Sequence, residues 1–184
     1  MENETFYLRE MTEQDRKDFL EATSEEAGVS YGADEKFGEA FLEACQQDSM
    51  ILSIIDNRTR NYLGYVIIKH TDTSTPELGI AIRPLYQSQG IGTEAMKAAA
   101  AFYAKSNPVD YYLIRVKSYN APSRHMIEKL GAQRLEDEGD AMMDVVKRLT
   151  QEIGGEKGKE LLEEFLDGYD VQGQNVLQYR YDVP

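Results

Sequence analysis

The residues whose types and spacing could do chemistry lie in one run, Arg83-Pro84-Leu85-Tyr86-Gln87-Ser88-Gln89-Gly90-Ile91-Gly92-Thr93-Glu94-Ala95. Two glycines two positions apart let backbone N–H groups face outward without Cβ obstruction. The Ala- and Met-rich run Glu94 to Lys105 predicts a helix that begins at the same point. Its first N–H groups have no intrahelical acceptor, and the positive end of its dipole coincides with them. Such a site favours a phosphate. The apolar run Leu78 to Ile82 predicts a strand before it, so the elements that position the loop are a strand and a helix start.

Other phosphate loops fit less well. Gly90-x-Gly92-x-x-Ala95 satisfies a dinucleotide fingerprint literally, but that fingerprint ends a strand in a βαβ unit and needs an acidic residue at the end of the next strand. Here Arg83 to Gln89 intervene, the next predicted strand, Tyr111 to Val116, ends in Lys117, and the segments before the loop read as hairpins. No Gly-Lys-Ser/Thr follows, which excludes a Walker loop.

Gln87, Gly90 and Gly92 fill the fixed positions of an Arg/Gln-x-x-Gly-x-Gly/Ala pattern. Upstream lie Leu8-Arg9-Glu10-Met11-Thr12 and Asp15, and downstream Asn120-Ala121-Pro122-Ser123 running to Glu128-Lys129-Leu130-Gly131. In this order and spacing, from about Thr5 to Gly131, the marks resemble the GNAT superfamily of acyl-CoA-dependent N-acyltransferases. The resemblance is closest to the branch that includes ribosomal-protein N-terminal acetyltransferases and many polyamine, aminoglycoside and amino-acid acetyltransferases. It implies acetyl-CoA as co-substrate. Its pyrophosphate would sit on the N–H groups of Ser88, Gln89, Gly90, Ile91, Gly92 and Thr93, beside Gln87, with both glycines giving close backbone approach. The pantetheine would pair with the strand around Ile80, Ala81 and Ile82, where the family has a bulge, and Asn120 would touch it.

Acyl transfer to an amine needs a polarised thioester carbonyl, an acceptor that has lost a proton and a leaving thiolate that gains one. For the base, Glu77 stands at the start of the strand assigned to the thioester, where a water could relay the proton; His70, at the end of the neighbouring strand, has a suitable ordinary pKa. Many members of the superfamily carry a tyrosine seven residues after the asparagine, but here that position is Ile127, so Ser123 becomes the candidate to assist the thiol. His125, on the same predicted helix, is expected to be exposed. The missing tyrosine, with Ala132 in place of a usual aromatic, keeps open a second reading: a GNAT-fold module that binds acyl-CoA without turning it over. The acceptor, a small-molecule amine or a protein N-terminal amine, is not fixed by the sequence, nor are acetyl against longer acyl groups or monomer against homodimer.

The other elements follow from periodicity. Thr5 to Arg9 alternates as a strand; Thr12 with Asp15 opens a helix through about Ala22, followed by a loop from Ser24 to Gly32. A second helix spans about Asp34 to Gln47, and the resemblance places Glu25, Glu26 and Tyr31 near the acceptor. Met50 to Ile55, Tyr62 to His70 and Glu77 to Arg83 form an antiparallel meander. After the helix that ends at Lys105 and the strand Tyr111 to Val116 come a helix, Asn120 to Leu130, a strand, Ala132 to Glu136, and a last strand, Asn175 to Val183. Between the final two, Met142, Val145, Val146, Leu149 and Ile153 form one apolar stripe and Leu161, Leu162, Phe165 and Leu166 another, which predicts an inserted helical pair at about 140–170. The expectation is one mixed α/β domain of GNAT type over 1–184, its twisted sheet splayed near the strands of Glu77 and Tyr111.

Composition sets limits. The 184 residues suit a single domain. A formal charge of −13 argues against a nucleic-acid-binding surface, which needs Lys and Arg in excess. One cysteine permits no internal disulfide, and two histidines without cysteine partners argue against zinc. No apolar run approaches a membrane span, and Met1-Glu2-Asn3-Glu4 lacks the basic and apolar regions of a signal peptide, so a cytoplasmic protein is expected.

Overall fold

The computed structural model describes residues 4–27, 42, 43, 45, 47–135 and 176–183, the side chains of 26 and 27 excepted. It is a mixed α/β structure, as expected. Among the described residues the strands are β1 (Phe6–Glu10), β2 (Met50–Asp56), β3 (Tyr62–Lys69), β4 (Glu77–Ile82), β5 (Tyr112–Lys117), β6 (Gln133–Arg134) and β7 (Val176–Tyr181). They form one sheet in the order β1-β2-β3-β4-β5-β7-β6. The helices are α1 (Arg16–Ala27), α2 (Ile91–Ala104) and α3 (Ala121–Leu130). The expected insertion at 140–170 and most of the expected helix at 34–47 lie outside the described residues.

Strand alternation sorts the side chains onto two faces. Leu8, Leu52, Val66, Leu78, Ile114 and Leu177 point to the side covered by α2 and α3. Ile51, Tyr65, Ile67 and Ala81 point to the other, where Phe19 and Ala22 of α1 meet them. Ala95, Ala99 and Ala100 of α2 are fully buried. Their small side chains let the helix lie close to the sheet, and the Tyr112 hydroxyl donates to the Ala100 carbonyl at 2.8 Å.

The start of α1 is fixed by one buried carboxylate. Asp15 accepts from Arg9 (Nη2 to Oδ1, 2.8 Å), from the Thr12 N–H (2.8 Å) and from the Ser53 hydroxyl (3.1 Å). Burial pushes the Asp15 pKa up, but the hydrogen bonds from Arg9 and Thr12 outweigh it and the group lies below the ordinary carboxylate value. The helix continues past Ala22 to Ala27, so the expected loop at Ser24 begins later. The reason is local: the Thr23 and Ser24 hydroxyls bond back to the Phe19 and Leu20 carbonyls (2.8 and 2.7 Å) and leave the backbone helical.

β1 to β4 run antiparallel, whereas β4 and β5 are parallel and share one registered pair, Glu77 with Leu113. At that point the Leu113 N–H donates to the Pro76 carbonyl at 3.0 Å. Beyond it the two strands part, and each stays paired on its far side, β4 with β3 and β5 with β7. The sheet is therefore splayed at the expected place. The bulge expected around Ile80 is absent: β4 keeps an unbroken register with β3 from Lys69↔Glu77 to Gly64↔Ile82. Gly64 makes that register compatible with the geometry, since a Cβ there would stand 2.1 Å from the Ala81 carbonyl oxygen. β6 is shorter than predicted, two residues against the expected Ala132 to Glu136.

Candidate active site

The loop after β4 is held from three sides. Arg83 ion-pairs with Asp18 (3.5 Å), Glu21 (3.2 Å) and Glu25 (3.1 Å) of α1, which ties the end of β4 to that helix. Glu25 thus lies on α1 as a partner of Arg83 rather than on a loop. Tyr31 and the side chain of Glu26 are outside the described residues. Gln87 folds back so that its Nε2 donates to the Ile82 carbonyl at 2.8 Å. Gln89 does the same to Leu85 at 3.2 Å. Both glutamines therefore brace the loop with their amides, and the Ile82 carbonyl has an intramolecular donor.

Ser88 (φ 60°) and Gly90 (φ 79°) adopt left-handed backbone, and Gly90 is the residue before α2. The first intrahelical bond runs from the Glu94 N–H to the Gly90 carbonyl. The N–H groups of Ile91, Gly92 and Thr93 consequently have no acceptor among the described residues, and the helix dipole adds to them. A Cβ at Gly90 would meet nothing within 4 Å. Gly92 is different. A Cβ there would point inward, 2.7 Å from Met126 Sδ of α3 and 3.7 Å from the Ile80 and Ile82 side chains. A side chain at Gly92 would thus meet α3 and displace the Met126 thioether, whereas one at Gly90 would not, so the two glycines differ in what surrounds them.

On the other wall, Asn120 caps α3 by accepting from the Ser123 N–H at 3.1 Å. The Asn120 amide NH2 has no partner among the described residues. The Ser123 hydroxyl has no hydrogen-bond partner among the described residues, so it is not consumed by the helix start. His125 is exposed, as expected.

Glu77 sits at the root of the split and is buried. Its Oε1 accepts from Lys69 Nζ of β3 at 3.1 Å, and its Oε2 is in close contact with Arg115 Nη1 of β5. One carboxylate thereby joins three strands where the sheet opens. His70 lies one residue beyond Lys69, past the closed end of the split, with Nδ1 2.9 Å from Asp48 Oδ2. Lys69 and Arg115 are absent from the sequence reading, because only strand register brings them to Glu77.

The arrangement is a wedge between two strands, with unused N–H donors and a helix dipole at its mouth and an ion-paired carboxylate at its root. Such a wedge accepts an extended chain carrying phosphates at one end and a reactive carbonyl within. The model of the acetyltransferase (GNAT) domain matches residues 5–133. No curated protein matches the sequence. Solved structures match by fold. A variant of the spermidine N-acetyltransferase SpeG from Vibrio cholerae aligns with TM-score 0.67 and 14% identity, covering 97% of this chain and 94% of that one. The Vibrio cholerae spermidine N-acetyltransferase in complex with CoA and spermine aligns with TM-score 0.60 and 16% identity over 73% of this chain and 84% of the other. A ribosomal-protein alanine acetyltransferase from Vibrio fischeri gives TM-score 0.57 and 12% identity over 73% and 82%.

Proposed function

The chain belongs to the GNAT acetyltransferase family and is an acetyl-CoA-dependent N-acetyltransferase, and from this premise we propose that it acetylates a primary amine by direct attack within a ternary complex. In this reading the pyrophosphate of acetyl-CoA binds the free N–H groups from Ser88 to Thr93, and the pantetheine enters between β4 and β5 past Asn120. The thioester carbonyl lies against the β4 strand at Ile80 and Ala81; the Ile80 backbone is on the edge towards β5, which there has no partner strand among the described residues. The observation that carries the reading is this split, one registered pair followed by separation, directly before the loop of N–H donors.

Glu77 receives the proton of the acceptor ammonium through a water. A carboxylate offers about four lone-pair directions, so two ion pairs leave room for that water. Ser123, whose hydroxyl has no partner among the described residues, passes a proton to the leaving thiolate and takes in exchange the one that the amine nitrogen sheds as the tetrahedral intermediate collapses. The site lies on a chain in which no described helix is long and apolar enough to cross a membrane, and a cytoplasmic location, where acetyl-CoA is at hand, belongs to the same proposal.

Thiol release measured with acetyl-CoA and a panel of primary amines tests it. An acetyltransferase liberates CoA faster when an acceptor is present. Binding of acetyl-CoA with no acceptor-dependent release would favour the second reading, a module that holds acyl-CoA as a ligand.

A further inference from the structure

The proposed function leaves the acceptor open, and the charges on one face of the split bear on it. Strand alternation places Leu113, Arg115 and Lys117 of β5 on the α1 face, opposite the buried Tyr112, Ile114 and Val116. Glu77, Gly79 and Ala81 of β4 share that face, and so does Lys69 of β3, which pairs with Glu77. Because Glu77 is level with Leu113 and the strands are parallel, two residues further on Arg115 comes level with Gly79, and Lys117 with Ala81. Each such step advances about 6.5 Å. Lys117 therefore stands across the split from the β4 backbone that would hold the thioester, with Arg115 one step behind it. The other face of the split is filled by Ile80, Ile82, Ile114 and Val116 beneath α2 and α3. Among the described residues, the face of the split left open to an amine is the α1 face.

Around the root and the β5 side of the split, among the described residues, this face presents Lys69, Arg115 and Lys117 against one carboxylate, Glu77; α1 adds Asp18, Glu21 and Glu25, all ion-paired to Arg83 at the end of β4. Arg115 spends Nη1 on Glu77, and the rest of its guanidinium has no partner among the described residues, with 44% of the side chain exposed. Lys117 is exposed, its ammonium lies 5.6 Å from the centre of the Tyr119 ring, and it pairs with no carboxylate among the described residues.

We propose that Arg115 and Lys117 are specificity-determining residues that bind a carboxylate of the acceptor, so that the substrate is an amine carrying a carboxylate close to the nitrogen and not a polycation. This rests on the transfer reaction proposed above. A guanidinium edge and an ammonium on adjacent same-face positions suit a planar anion. An α-carboxylate lies two bonds from its amine, so a carboxylate held by Arg115 and Lys117 keeps that amine at the split.

The test is acceptor-dependent CoA release by the full chain with three sets of amines: free amino acids and their α-amides; tripeptides with Glu or Gln after a free N-terminal residue; and spermidine. The expected result is a KM for carboxylate acceptors lower than for their neutral counterparts by about tenfold or more, the scale of one charge-assisted hydrogen bond. Lys117→Met should erase that ratio and leave KM for acetyl-CoA unchanged, and Lys117→Glu should invert it. Arg115→Lys, which keeps the charge and the tie to Glu77, should retain most of it. The amino-acid and tripeptide arms tell an α-carboxylate from a side-chain one. Equal KM values for charged and neutral acceptors, a preference for spermidine, or a ratio that survives Lys117→Met would overturn the proposal while the transfer reaction stands. No CoA release with any amine would instead overturn the transfer reaction and this proposal with it.

Discussion

Gly92→Val should destabilise the protein without abolishing acetyl-CoA binding. The position is crowded on the inside: an ideal Cβ stands 2.7 Å from Met126 Sδ and 3.7 Å from Ile80 Cδ1 and Ile82 Cγ1. Carbon and sulfur normally rest at about 3.5–4.0 Å, so Met126 must withdraw by roughly 1 Å, and the two methyls of Val demand more. Overpacking of this kind costs about 1–3 kcal/mol. Replacing glycine by valine in a helix returns a few tenths of a kcal/mol, less than the ~0.5–1 kcal/mol that alanine would, which leaves a net loss of about 0.5–2.5 kcal/mol and a fall in Tm of roughly 2–4 °C per kcal/mol for a chain of this size. Thermal denaturation with and without acetyl-CoA is the assay. The ligand-induced rise, RT ln(1 + [L]/Kd), should persist because the new side chain points away from the free N–H groups. Gly92→Val with Met126→Ala should recover part of the loss through a coupling of about 0.5 kcal/mol or more. Gly90→Val is the contrast: its Cβ enters open space beside those N–H groups, and it should lose the ligand-induced rise. An unchanged apo Tm for Gly92→Val together with loss of its acetyl-CoA response would refute the packing argument and return Gly92 to the ligand.

Three further outcomes follow from the same geometry. Gly64→Ala should cost about 3 kcal/mol or more in denaturant unfolding, because the added Cβ meets the Ala81 carbonyl oxygen of the backbone at 2.1 Å; wild-type stability would show that β3 and β4 are not so close. The Asp15 pKa is lowered in the fold, so its contribution is fully present above the unfolded value of about 3.9 and is lost as pH falls through the folded value. Asp15→Asn should thus be destabilised by roughly 1.5–3 kcal/mol at neutral pH and show a shallower loss of stability below about pH 4; parallel curves for the two proteins would contradict the assignment. Glu77→Gln should lower kcat by about 10²-fold or more with acetyl-CoA affinity nearly intact, since the carboxylate serves the acceptor; full activity would remove Glu77 from the chemistry.

Much of the fold was legible because its signals are local. The strands from Phe6 to Ile82 alternate with turn residues between them, and the Gly90–Gly92 loop announces the helix that follows. Where the reading failed, the deciding interaction is a side-chain contact that the pattern of residue types does not announce. Thr23 and Ser24 read as the beginning of a loop, yet their hydroxyls close on the preceding turn of α1. Gly90 and Gly92 look alike in sequence, and only the position of Met126 separates a conformational glycine from a packing one. Glu77 could be singled out as an acidic residue at a strand start, but its ion pairs with Lys69 and Arg115 require the β3–β4–β5 register. Gly64 did carry a signal, an isolated glycine inside an apolar strand, which marks a close backbone approach. The bulge expected at Ile80 came from the resemblance, and this chain keeps its register there.

Backbone amide hydrogen exchange with and without acetyl-CoA tests the central claim most directly, because the claim is about where the co-substrate lies. Bound acetyl-CoA should slow exchange in the segment from Ser88 to Thr93 and in β4 around Ile80 to Ile82, and leave the turn at His70 unchanged. Saturating acetyl-CoA that protects neither segment, in a protein shown by the unchanged amides of β2 and β3 to be folded, would contradict the placement of the co-substrate in the β4–β5 split.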